Sequence, residues 1–131
     1  IEPARRDLGR KIHWFAAQKD EREFARAAAE MLQTRGGRYE EVALAYTRRC
    51  FEPVFRAPYR IDREYSADLV RRMRDIALEM RKADDAEFVP LPPGMVFINR
   101  LQAGFYSVLA RLGAEADYAA VDRALLAPYF A

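Results

Sequence analysis

The chain has 131 residues, 51% of them apolar and 32% charged, with 22 basic side chains against 20 acidic ones. That balance excludes a disordered polyelectrolyte and gives no electrostatic case for wholesale binding of DNA or RNA. The length supports one helical domain with a core of its own, or a fragment of a larger protein.

The chain begins at Ile1, not Met, so a fragment, a processed product or a trimmed chain is expected. A lone cysteine, Cys50, leaves no internal disulfide and fits a reducing compartment. No apolar run approaches the roughly 20 residues needed to span a bilayer. The first residues, IEPARRDLGRK, lack an apolar signal-peptide core. The expected location is the cytoplasm, with peripheral membrane contact left open.

Apolar residues recur at helical spacing almost everywhere, which predicts an all-α fold. About six helices in an irregular orthogonal bundle account for the pattern. The first runs from about Pro3 to Gln18, with Pro in its first turn and Leu8, Ile12 and Phe15 on one face. Asp20, with Glu23 three residues on, reads as a capping box for the second. Its stripe is Phe24, Ala28, Met31 and Leu32, and Gly36-Gly37 is the expected stop.

A third helix covers about Tyr39 to Phe51, with Val42, Tyr46 and Cys50 in line. Pro53 and Pro58 then forbid a regular helix through FEPVFRAPYRI, where Phe51, Phe55 and Tyr59 are expected to pin the loop to the core. Asp62 can cap a fourth helix striped by Tyr65, Leu69, Met73, Ile76 and Met80. After the connector ADDAEFVPLPP, Pro92-Pro93 open a fifth helix that Gly113 ends. Ile98, Leu101, Phe105, Val108 and Leu112 line it, with Met95, Phe97 and Leu109 beside them. Apolar over more than half its girth, it should be the most buried helix. Asp117 caps a last helix that Pro128 should terminate.

No catalytic constellation emerges. His13 is the only histidine and has no nucleophile assigned to it, so a structural role is expected. Cys50 lies in an apolar stripe and reads as a small buried hydrophobe. Asp84, Asp85 and Glu87 lack the spacing of a calcium loop and read as a solvated turn. Asp7-Leu8-Gly9 has the outline of a kinase metal-binding Asp-Phe-Gly, but it follows EPARR inside a helical pattern, where that motif should follow a strand. Gly36-Gly37 has no accompanying lysine and is no phosphate loop. No catalytic, cofactor or metal residue is assigned. Arg100 and Gly104, four apart on one face of the fifth helix, are the candidate structural pair. The expectation is a guanidinium clamp beside a close helix approach, with Asn99 and Gln102 making a polar stripe the plainer reading.

One stretch carries a resemblance. LPPGMVFINRLQAGFYSVLARLGAEADY, residues 91–118, is similar to the C-terminal region of the AarF/UbiB family of atypical kinase-like proteins. The likeness lies in the proline-led helix, Arg100, Gly104 four residues on, the apolar run and the Leu112-Gly113-Ala114 ending. Upstream, Asp20 to Gly36 followed by FEPVFRAPYR matches the family's order of an Asp-led helix and a Pro- and aromatic-rich connector. The nucleotide-binding Lys, alanine-rich phosphate loop, catalytic Asp and Asn, and metal-binding Asp of the family have no counterpart here.

The resemblance therefore implies the helical end of a kinase-like C-lobe, non-catalytic in itself. Its parent would be an atypical kinase or ATPase that uses ATP and Mg²⁺ and is related to isoprenoid-quinone or lipid metabolism. The implied partners are the rest of that lobe, with a homodimer and a peripheral membrane contact left open and no nucleic acid. The competing reading is a free-standing helical ligand-binding or dimerisation module of a regulatory protein, with Met31, Met73, Met80 and Met95 lining an adaptable pocket.

Overall fold

The computed structural model describes residues 2–82 and 95–130, and the side chains of the second stretch from residue 100 onward. The expected connector over 83–93 and the Pro92-Pro93 helix start lie outside the described residues, as do Asp84, Asp85 and Glu87. The fold is all-α. Its helices are α1 (Pro3–Ala17), α2 (Glu21–Leu32), α3 (Gly37–Cys50), α4 (Glu52–Phe55), α5 (Arg63–Lys82), α6 (Met95–Leu112) and α7 (Tyr118–Phe130).

Local chemistry explains most boundaries. Pro3 opens α1 where its missing N–H forfeits no helical bond. Asp20 caps α2 by accepting from the Glu23 amide at 3.1 Å. Asp62 accepts from the Tyr65 amide at 2.8 Å, and Asp117 from the Ala120 amide at 2.9 Å. The expected stop of α2 at Gly36-Gly37 is displaced. The chain leaves the helix at Gln33, which takes the left-handed conformation at φ 55°, and the Thr34 amide reaches back to the Ala29 carbonyl at 3.3 Å. Gly36 and Gly37, both at positive φ, instead lead into α3.

The proline-rich segment holds one helical turn, α4, and then a two-residue strand β1 (Tyr59–Arg60). This strand pairs antiparallel with β2 (Glu115–Ala116), Tyr59 opposite Ala116 and Arg60 opposite Glu115. The pair ties the loop after α4 to the turn between α6 and α7. Helix α7 does not stop at Pro128 but continues to Phe130. In a last turn the proline forfeits only a bond near the helix end. The turn is also held from outside, by stacking of Phe130 on Trp14 at 4.9 Å and by Arg10 over the Tyr129 ring at 4.0 Å.

Two clusters form the core. In the first, α1 and α2 meet α4 and α7 through Ile12, Ala16, Phe24, Val54, Phe55 and Ala119. Phe24 lies edge-on to Phe51 at 5.2 Å and to Phe55 at 5.0 Å, so the aromatic pins expected from the sequence are in place. The second cluster joins α3, α5 and α6 around Cys50, Ile61, Tyr65 and Leu69. Phe51 and Tyr118 touch both clusters.

Helix α6 is not the most buried helix. None of its residues from Arg100 to Leu112 is buried. Its apolar girth is two separate stripes. Tyr106, Leu109 and Ala110 pack on the second cluster, whereas Leu101, Phe105, Val108 and Leu112 are exposed. The central role passes to α1 and α2, whose short alanines let aromatic rings approach closely.

Candidate functional site

Two features collect the chemistry: a polar seam at the end of α3, and the outer face of α6. The seam was not foreseen. The last carbonyls of a helix lack intrahelical partners. Here phenols supply them. Tyr65 Oη donates to the Arg49 carbonyl at 2.7 Å and lies 3.1 Å from that of Cys50. Tyr106 Oη donates to the Cys50 carbonyl at 3.0 Å and accepts from Gln102 at 3.2 Å. Burial pushes both phenols upward, Tyr106 to about 12. Burial likewise pushes the Cys50 thiol up to about 11, against a hydrogen bond with Tyr46 and the nearby Arg72 charge. Cys50 is buried in the second cluster and packs as a small hydrophobe, as its stripe suggested.

Beside the seam, Asp68 on α5 gathers cations from two helices. Arg49 approaches at 2.7 Å, Arg72 at 3.0 Å and Arg71 at 3.4 Å. Partial desolvation opposes ionisation of Asp68, but the hydrogen bonds and charges of Arg72 and Arg49 outweigh it and hold the carboxyl below its ordinary range. This is an interhelical tie between α3 and α5. Arg48 makes a similar one, reaching Glu21 at 2.9 Å and Glu52 at 2.8 Å while lying over the Phe55 ring at 3.8 Å. His13 ties α1 to α7 through Asp122 at 2.9 Å and meets the Phe51 ring at 4.7 Å.

The candidate pair stands elsewhere. Arg100 is exposed, and among the described residues no carboxylate pairs with it. A Cβ built on Gly104 meets nothing within 4 Å. The expected clamp and close helix approach therefore have no facing element among the described residues. The two residues belong to an edge row of α6 with Ser107 and Arg111, all exposed, at spacings of four, three and four. Next to it runs the apolar row, with Phe105 61% and Leu112 73% exposed. Helix α7 also turns Val121 and Leu125 outward.

No family model, curated protein or solved structure matches this chain. The residues themselves then carry the argument. A groove of about 190 Å³ lies between α3, α5 and α6, lined by Tyr46, Leu69, Val70, Met73 and Tyr106 among others. Met31 and Met73 do not share a pocket. Met31 packs on the first cluster, Met73 lines this groove, and Met95 lies outside the described side chains. Among the described residues no three metal-ligating side chains converge, and no described helix is long and apolar enough to cross a membrane.

Proposed function

We propose that this chain is the C-terminal helical part of a kinase-like protein of the AarF/UbiB type, itself non-catalytic and serving to brace or regulate the lobe that carries the chemistry. The observation that carries the reading is the patterned helix with Arg100, Gly104 and the Leu112-Gly113-Ala114 ending. Gly113 sits at φ 59°, a left-handed stop that suits glycine. The outward Val121, Leu125 and Tyr129 of α7 fit a piece whose packing continues into a neighbour.

ATP and Mg²⁺ belong to the parent in this reading. Phosphoryl transfer needs phosphates cradled by backbone amides and a carboxylate-held metal, elements this reading assigns to the upstream lobe. The carboxylates of the polar seam are instead engaged by arginines. No chemical step is assigned to this chain.

The contiguous reading frame tests the proposal. An alanine-rich phosphate loop and a metal-binding Asp upstream of Ile1 support it, and a frame without them overturns it. Titration of the 131-residue chain with ATP and Mg²⁺ should give no binding heat. The second reading, a free-standing ligand-binding or dimerisation module of a regulatory protein, draws support from the groove between α3, α5 and α6. Its roughly 190 Å³ is below the about 300 Å³ at which ordinary ligand pockets begin, whereas a wider cleft of about 610 Å³ between α3 and α5 is lined by charged side chains such as Arg38, Glu41, Arg72 and Glu79.

A further inference from the structure

We infer that the outer face of α6 is a docking surface for an amphipathic helix of another polypeptide that carries carboxylates along one edge of its apolar stripe. Three observations converge. The apolar row from Leu101 to Leu112 repeats at spacings of four, three and four, the seam spacing with which one helix packs along another. It is exposed along its whole length, while the adjoining stripe through Tyr106 is engaged with the core, so α6 cannot rotate to bury both.

The second observation is the notch. A glycine inside a helix costs about 1 kcal/mol relative to alanine. Gly104 and Ser107 lie in the row beside the apolar one, and the space over Gly104 is open. Small side chains there let a second helix come close over Phe105 and Val108.

Charge selects the occupant. The notch is bracketed by Arg100 and Arg111, eleven residues or about 16 Å apart along the axis, and α6 contains no acidic residue. A second copy of this chain would bring like charges together: Arg100 against Arg100 in a parallel pair, Arg100 against Arg111 in an antiparallel one. A helix with carboxylates at matching spacing meets both guanidinium groups, which accept bidentate partners. A lipid surface is served less well. An interfacial helix needs its basic polar face opposite a broad apolar one, and here the core takes one flank of α6.

The test uses the 131-residue chain and two labelled helical peptides of about 20 residues. Both carry leucines at the spacing of the apolar row. One has Glu and the other Lys at two edge positions eleven apart. Fluorescence anisotropy at about 50 mM and about 300 mM NaCl measures affinity. The Glu peptide is expected to bind at least about tenfold tighter than the Lys peptide, with the difference shrinking in salt. The Arg100→Glu/Arg111→Glu variant should reverse the preference. Gly104→Leu and Phe105→Ser should weaken binding of both peptides while circular dichroism stays at the wild-type value and the urea midpoint does not fall, rising for Gly104→Leu as a helical glycine is replaced. Equal affinity for the two peptides, or binding of neither, overturns the inference. So does a stable dimer in light scattering that the Glu peptide does not dissociate. Co-sedimentation with phosphatidylcholine–phosphatidylserine vesicles that Phe105→Ser abolishes, without peptide discrimination, would assign the face to a membrane instead.

Discussion

Replacing Tyr65 and Tyr106 with phenylalanine, singly and together, probes how the end of α3 is held. Each hydroxyl has one proton. The 2.7 Å contact assigns that of Tyr65 to the Arg49 carbonyl, and the 3.0 Å contact assigns that of Tyr106 to the Cys50 carbonyl. The rings remain, so apolar burial is conserved and only the hydrogen bonds change. Tyr65→Phe leaves a buried carbonyl without its donor and should lower stability by about 1–2 kcal/mol. Tyr106→Phe should lower it by only about 0.5–1 kcal/mol. The Tyr65 hydroxyl already lies 3.1 Å from the Cys50 carbonyl and can share its proton there. In the double variant neither carbonyl has a phenol, so the loss should exceed the sum of the single losses by about 0.5–1 kcal/mol. Urea denaturation followed by circular dichroism supplies the three differences. Strict additivity would refute the shared-carbonyl arrangement, and a larger loss for Tyr106→Phe than for Tyr65→Phe would refute the proton assignment.

The two glycines of α6 and its end should respond in opposite directions. Gly104→Ala enters open space in a regular helix and should raise stability by up to about 1 kcal/mol. Gly113→Ala forces a side chain into φ 59° and should lower stability by about 1 kcal/mol; equal urea midpoints for the two would contradict this. Asp68 has a folded pKa below its ordinary 3.8, so its contribution is whole above that value and is lost as pH falls through the lower, folded one. Asp68→Asn, with partners partly exposed, should remove about 1 kcal/mol near neutrality and flatten the acid limb of stability between about pH 2 and 5; an unchanged slope would show that other carboxylates set it. The Cys50 thiol, buried and raised to about 11, should react with iodoacetamide at pH 8 far more slowly in the native chain than in urea, and equal rates would show the second cluster to be open.

Helix positions were legible because their signals are local. Asp20, Asp62 and Asp117 each cap a helix whose next residues lie within reach of one side chain, and four residues of sequence are enough to show it. The stop of α2 was misplaced because Gly36-Gly37 offered a stronger local signal than Gln33. Glutamine enters the left-handed region less readily than glycine, so nothing in its identity announces the stop. The β1–β2 pair was invisible for a different reason. Two residues per strand leave no alternation to detect, and the pairing joins Tyr59 to Ala116 across the whole of α5 and α6. Pro128 misled because a proline's effect depends on how much helix lies beyond it and on what holds that part. With Trp14 stacked on Phe130, the last turn of α7 is held by tertiary contact.

The outer face of α6 shows where periodicity stops informing. Spacing fixes the angle between Leu101 and Tyr106 around the helix, but it does not say which of the two points inward. Both lie on apolar stripes, and the choice falls to partners distant in sequence. Tyr106 lies inward, where its ring fills apolar space and its hydroxyl adds a donor to the Cys50 carbonyl at 3.0 Å. Leu101 and Phe105 are left outside. The same logic inverts the reading of Gly104. A helical glycine beside an apolar stripe signals a close approach, but the stripe Gly104 borders is the one the core did not take, and a Cβ built there meets nothing within 4 Å.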